Sequence, residues 1–105
     1  MFNIFNTKTN FENIDGNTFR SMSNDPDTII IDVRTKEEFN SGKIEGAINY
    51  DLLSGEFASV ISEFDKDKTY LIYCRSGARS STACNMLADL GFQKLYNLKG
   101  GIISY

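Results

Sequence analysis

Two short apolar runs, TIIIDV at residues 28–33 and TYLIYC at 69–74, constrain the fold of this chain more than any other feature. Each is rich in β-branched or aromatic residues, bounded by polar turn residues and too short for a buried helix, so each reads as a strand. Because consecutive positions are apolar, both faces of these strands must be covered, which is the condition of strands inside a mainly parallel sheet. Parallel neighbours need crossover connections, and those are usually helices.

The segments around the two runs supply the helices. Asp15 is placed to cap a short helix that turns Phe19 and Met22 inward, and SNDPD, with the only proline of the chain at Pro26, ends it. Thr35 followed by Glu38 fits a capping box, with Phe39 as the first core-facing residue and Gly42 as the stop. Residues 43–50 read as a loop entering a short strand near 47–49. Apolar groups at 53, 57, 60, 61 and 64 have the spacing of one helical face over 52–64. After Cys74 a polar turn leads to a helix expected from Ser80, with Ala83, Leu87 and Leu90 on one face and Gly91 ending it. Residues 92–98 read as a last strand, and FNIF at 2–5 and residues 11–14 as further short strands. At 105 residues the chain is expected to form one domain over 1–105. A ligand site in such a sheet lies beyond the carboxyl ends of the strands, where Arg34 and Cys74 both fall.

Composition narrows the classes of function. Apolar residues at 41% and charged residues at 24%, with no low-complexity tract, are those of a soluble globular protein. Eleven basic against fourteen acidic residues give a net charge of -3, which argues against a broad nucleic-acid or anionic-membrane footprint, so neither partner is expected. The start, MFNIFNTKTN, lacks the apolar core of a secretory signal, and no apolar run nears the roughly 20 residues of a membrane span, so a cytoplasmic protein is expected.

The chain has two cysteines, Cys74 and Cys84, and no histidine. Their separation matches no CxxC redox or zinc spacing, and no imidazole is present to serve as a base or metal ligand. A reactive cysteine would have to be activated by positive charge and backbone donors. CRSGARS, residues 74–80, has the makings of such a site. A turn of this length between a buried strand and a helix can direct several backbone N–H groups inward as an anion nest, and the helix adds the positive end of its dipole. Arg75 and Arg79 add two charges, and Gly77 supplies conformational freedom. A free cysteine is about 3% thiolate at pH 7, so these donors would decide whether Cys74 is a nucleophile. A cysteine ending an apolar strand can equally be a small core residue, but a core cysteine has no use for two arginines and a glycine in the next five positions. Cys84 fits a partly buried helix position. Ser76 and Ser80 fit hydroxyl hydrogen bonding or helix capping, since no base accompanies them for a serine nucleophile.

Residues 31–50, IDVRTKEEFNSGKIEGAINY, and 73–80, YCRSGARS, with LKGGI at 98–102, resemble the single-domain rhodanese-like sulfurtransferases over nearly the whole chain. The resemblance implies an α/β domain of three layers, α/β/α, with a five-stranded parallel sheet ordered 3-2-4-5-1 and the cysteine loop after the fourth strand. It implies Cys74 as the catalytic sulfur carrier, with Arg75, Ser76, Gly77, Ala78 and Arg79 completing the loop and Ser80 beside it in substrate binding. Asp32, Arg34 and Glu38 fall on the family's D-x-R-x-x-x-E pattern as supporting residues. Their spacing allows an Arg34–Glu38 ion pair that fastens loop to helix, and a substrate contact for Arg34 is also open. Lys43 stands where the family usually has histidine, and Tyr105 where tryptophan often stands. The related cysteine phosphatases use C-x5-R; here Cys74 to Arg79 is C-x4-R, a tighter cup better suited to a sulfane sulfur than to a phosphoryl group.

The implied reaction moves sulfane sulfur from a small anionic donor such as thiosulfate to a thiol or cyanide through a Cys74 persulfide, with no metal or organic cofactor. The alternative is a relay that takes persulfide from one protein and gives it to another. An apolar patch at the cleft would favour protein docking; a cleft ringed by Arg34, Lys43, Arg75 and Arg79 would favour small anions.

Overall fold

The computed structural model describes residues 11–105, so the strand expected at residues 2–5 lies outside the described residues. The elements follow as β1 (Glu12–Ile14), α1 (Gly16–Met22), β2 (Thr28–Asp32), α2 (Lys36–Ser41), β3 (Ile48–Asn49), α3 (Glu56–Val60), β4 (Thr69–Tyr73), α4 (Ala78–Asp89) and β5 (Leu95–Leu98). One 3-10 turn, Ile61–Glu63, follows α3, and another, Ile102–Ser104, closes the chain. The five strands are all parallel and ordered β1-β5-β4-β2-β3, which is the expected 3-2-4-5-1 read from the other edge. The two apolar runs lie side by side, from Thr28 opposite Thr69 to Asp32 opposite Tyr73.

Side chains alternate across this sheet with the period of two that a pleated strand imposes. Tyr70, Ile72 and Cys74 join Ile31, Val33, Ala83, Cys84, Leu87 and Phe57 on one face, under α3 and α4. Leu71 and Tyr73 join Ile30, Ile44, Phe19 and Leu98 on the other, under α1 and the loop before β3. The result is a three-layer α/β/α fold. The caps read from the sequence are present: Asp15 accepts from the Thr18 amide at 2.8 Å, and Thr35 and Glu38 form the reciprocal capping box. Tyr105 packs edge-on against Phe19.

Three elements depart from their expected bounds. The helix expected over 52–64 is confined to Glu56–Val60, and Leu53 is 70% exposed. Asp51 accepts from the Leu53 amide while Glu56 accepts from the Asp51 amide, and Gly55 turns through φ +90°; these local bonds replace the first helical turn. The helix after the cysteine starts at Ala78 instead of Ser80 because Gly77, at φ +110°, provides the turn. Ser80 is consequently buried inside the first turn, and the buried face of α4 uses Cys84 where Leu90, 43% exposed, was expected. The last strand begins at Leu95 because Gly91 and Phe92 close α4: Phe92 donates to the Leu87 carbonyl and Gly91 to that of Ala88, the two bonds of a Schellman motif. In α2 no residue is fully buried; Phe39 is half-covered, with the Lys43 ammonium 4.9 Å from its ring.

Candidate active site

Cys74 follows β4 at the carboxyl end of the sheet, and the hydrogen bonds there explain why its loop has one shape. Its sulfur is the common acceptor of the loop, receiving the Gly77 amide at 3.1 Å, the Ser80 hydroxyl at 3.3 Å and the Ser80 amide at 3.4 Å. The residue is 1% exposed, at the floor of the turn. Burial by itself pushes the thiol up. The Ser80 hydroxyl and the amides of Ser80, Gly77 and Ser76 together outweigh it and hold Cys74 below the ordinary cysteine value. Cys84, buried in α4 with no such donors among the described residues, is pushed up to about 12 by burial, with the charge of Cys74 adding to the effect. The two cysteines share a core and differ in chemistry because one has a ring of donors.

The arginines do less of this work than the sequence suggests. Arg79 is bound bidentately by Glu38 at 2.7 and 2.9 Å, and this hydrogen-bonded pair holds the Glu38 carboxyl down at about 2. The Arg34–Glu38 pair expected from the spacing is not formed. Arg34 instead folds back on Asp32, two residues earlier on the same strand end, with Nη2–Oδ2 at 2.7 Å, and donates to the Gly42 carbonyl at 2.6 Å. Strand geometry explains the exchange. Residues i and i+2 lie on one side of the chain, so Asp32 is the nearer partner for Arg34, while the capping box turns Glu38 toward α4. Arg34 and Asp32 are both buried; Arg75, Ser76 and Ala78 are exposed on the rim. Among the described residues Arg75 has no ion-pair partner, and Lys43 stands apart over Phe39.

Ser76 and Ser80 do not cap α4, whose N-terminal Gly77 has no side-chain cap. Two asparagines with no place in the sequence reading tie the site together. Asn49 donates from one amide nitrogen to the carbonyls of Asp32 and Arg34, and Asn97 of β5 reaches Asn13, Ser81 and the Gly77 carbonyl. Both are buried, and the signal that could have found Asn97 was a polar residue inside the strand LYNL. A groove of roughly 1250 Å³ between Pro26, Ile30, Lys43 and Tyr105 includes none of residues 74–80. Among the described residues no three His, Cys, Asp or Glu side chains gather as a metal-binding group, and no helix is long and apolar enough to cross a membrane.

A parallel five-stranded sheet carrying a cysteine nest at the end of its central strand defines a class, and the comparisons with known proteins agree with it. The family model described as Rhodanese-like domain matches residues 15–105, and the chain belongs to that family. A sulfurtransferase of Allochromatium vinosum is 38% identical over 84 residues, covering 80% of this chain and 77% of that protein. The tRNA uridine(34) hydroxylase of Pelagibacter ubique is 34% identical over 101 residues, 95% of this chain but 33% of that protein, so the chain spans about a third of the length of such relatives. Among solved structures, a rhodanese-like domain protein from Staphylococcus aureus superposes with a TM-score of 0.77 at 26% identity, covering 89% of each chain. Sulfur transfer is the class of chemistry that this membership supports.

The hydroxylase relatives overturn one expectation. Several of the similar proteins are tRNA uridine(34) hydroxylases, so domains like this one occur in proteins named for action on tRNA, and the exclusion of nucleic acid from the partners falls. The physical reason is that a net charge of -3 is an average over the chain and does not bear on contacts made locally or by another part of a longer protein.

Proposed function

We propose that the chain is a sulfurtransferase acting through a persulfide on Cys74, with small anionic sulfane donors such as thiosulfate on one side and thiols, or cyanide in the test tube, on the other. The observation that carries this reading is the convergence of the Gly77 amide, the Ser80 amide and the Ser80 hydroxyl on one sulfur. The Cys74 thiolate attacks the outer sulfur of thiosulfate. A new S–S bond forms, the old one breaks, and sulfite leaves with the electron pair. The persulfide anion carries its charge one atom further out, toward the Ser76 and Gly77 amides and the exposed Arg75. A thiolate or cyanide then attacks the outer sulfur, and the bonding pair returns to Cys74. In this reading the 105 residues work as one domain.

A relay between proteins is the second reading, and the rim favours it at one point. Arg34 and Arg79 are bound to carboxylates, which leaves Arg75 as the exposed cation of the loop, while Leu53, after β3, and Ile103, in the 3-10 turn after β5, stand 70% and 61% exposed. The two readings separate by intact mass before and after exposure of the reduced protein to thiosulfate. A gain of one sulfur atom, discharged by cyanide and absent from Cys74→Ser, is the expected result. No gain in a protein whose Cys74 alkylates readily at neutral pH sinks the thiosulfate reading and leaves the relay.

A further inference from the structure

We propose that Gly101 and the turn that follows it are positioning elements for Cys74, a clamp from the end of β5 that aims the amides of the neighbouring loop at the sulfur. The inference rests on the reading of Cys74 as the sulfur carrier and adds residues that lie outside its loop.

Three observations carry it. The Ile102 amide donates to the Cys74 carbonyl at 3.0 Å, and the Ile103 amide donates to the Arg75 carbonyl at 3.3 Å. In a planar trans peptide the carbonyl and the next amide point in opposite directions. Holding the Arg75 carbonyl toward Ile103 therefore turns the Ser76 N–H to the other side, where the sulfur lies, and that amide is one of the groups that favour the thiolate. Gly101 makes the approach possible. It sits at φ +69°, and a Cβ there would fall inside the Arg75 carbonyl group and 2.5 Å from the Ser76 nitrogen. The turn itself is anchored, since Gly101 donates to the Leu98 carbonyl at the end of β5 and accepts from Ser104. The clamp thus joins the ends of two adjacent strands, β4 and β5, and transmits the position of one to the peptide planes of the other.

The test is the pH profile of Cys74 alkylation by iodoacetamide, read by mass, in the full chain and three variants. In Gly101→Ala the new methyl displaces the Arg75–Ser76 peptide, and alkylation at pH 7 is expected to slow by about tenfold, with the profile moved to higher pH. Ile103→Pro, at an exposed position, removes the second donor and sets its ring against the Arg75 carbonyl that the donor met, and is expected to move the profile in the same direction by less. Ile103→Ala keeps the donor and is expected to match the parent. A folded Gly101→Ala with the parent's profile overturns the clamp, and so does coincidence of the two Ile103 variants. Should Gly101→Ala fail to fold, the Ile103 pair decides. Shifted profiles in a protein whose parent gains no sulfur from thiosulfate support the clamp while sinking the thiosulfate reading.

Discussion

Replacing Ser80 by alanine removes one hydroxyl from a fully buried position and leaves the rest of the cysteine loop in place. The hydroxyl has a single proton and two acceptors within reach, the Cys74 sulfur at 3.3 Å and the Gly77 carbonyl at 3.1 Å. With Cys74 as a thiol the proton can go to the carbonyl; with the thiolate present the charge draws it to sulfur. The Ser81 amide, the Ser81 hydroxyl and Asn97 also donate to the Gly77 carbonyl, so deleting the Ser80 hydroxyl orphans nothing there. The loss therefore falls on the thiolate. Hydrogen bonds to charged groups contribute about 1.5–3 kcal/mol, and a sulfur acceptor at this distance belongs at the lower end, about 1.5 kcal/mol or close to tenfold in the thiolate-to-thiol ratio. Iodoacetamide alkylation of Ser80→Ala across pH, followed by mass, measures that ratio directly. Cys84 does not interfere, since burial keeps it a thiol. An alkylation profile within twofold of the parent, in a variant whose melting temperature is also unchanged, would refute the claim that Ser80 tunes Cys74.

Two further outcomes are expected. Glu38 is held at about 2 against an ordinary value of 4.5, so its ionised form is favoured by folding; the associated stability is fully present above about 4.5 and is lost as pH falls toward about 2. Glu38→Gln keeps the capping box but loses the charge, so unfolding curves should show a weaker dependence on pH between those values than the parent, and a lower stability at pH 7 by about 1 kcal/mol; parallel pH dependences would mean that the Arg79 pair stabilises nothing. Cys84→Ala, which trims a buried side chain, is expected to keep sulfur loading on Cys74 while losing about 1 kcal/mol in a denaturant titration. Loss of loading in a folded Cys84→Ala would give that cysteine a role beyond packing.

Local chemistry made much of the site readable in advance. A cysteine at the end of an apolar strand, followed by a turn with glycine and then a helix, has its donors within seven residues, and hydrogen bonds of that range follow from sequence order. The same holds for the Thr35–Glu38 capping box and for Asp15. The partners of Arg34 and Arg79 were not readable. Glu38 is three residues from Thr35 and forty-one from Arg79, and its carboxylate bonds both; nothing in the spacing of a single chain ranks a distant guanidinium over one four residues away. Leu53 misled for a related reason. A helical spacing of apolar residues does not register that Asp51 and Gly55 satisfy the backbone in another way.

The sequence by itself determined the parallel sheet, because apolar runs at 28–33 and 69–74 cannot leave either face in water, and it determined the nest, because its donors are near neighbours of Cys74. What only the tertiary structure decided is how the nest is held. The Glu38–Arg79 pair, the asparagines at 49 and 97 and the approach of Gly101 to Arg75 all join segments distant in sequence, and such contacts exist once the strands have found their order and bring those segments together.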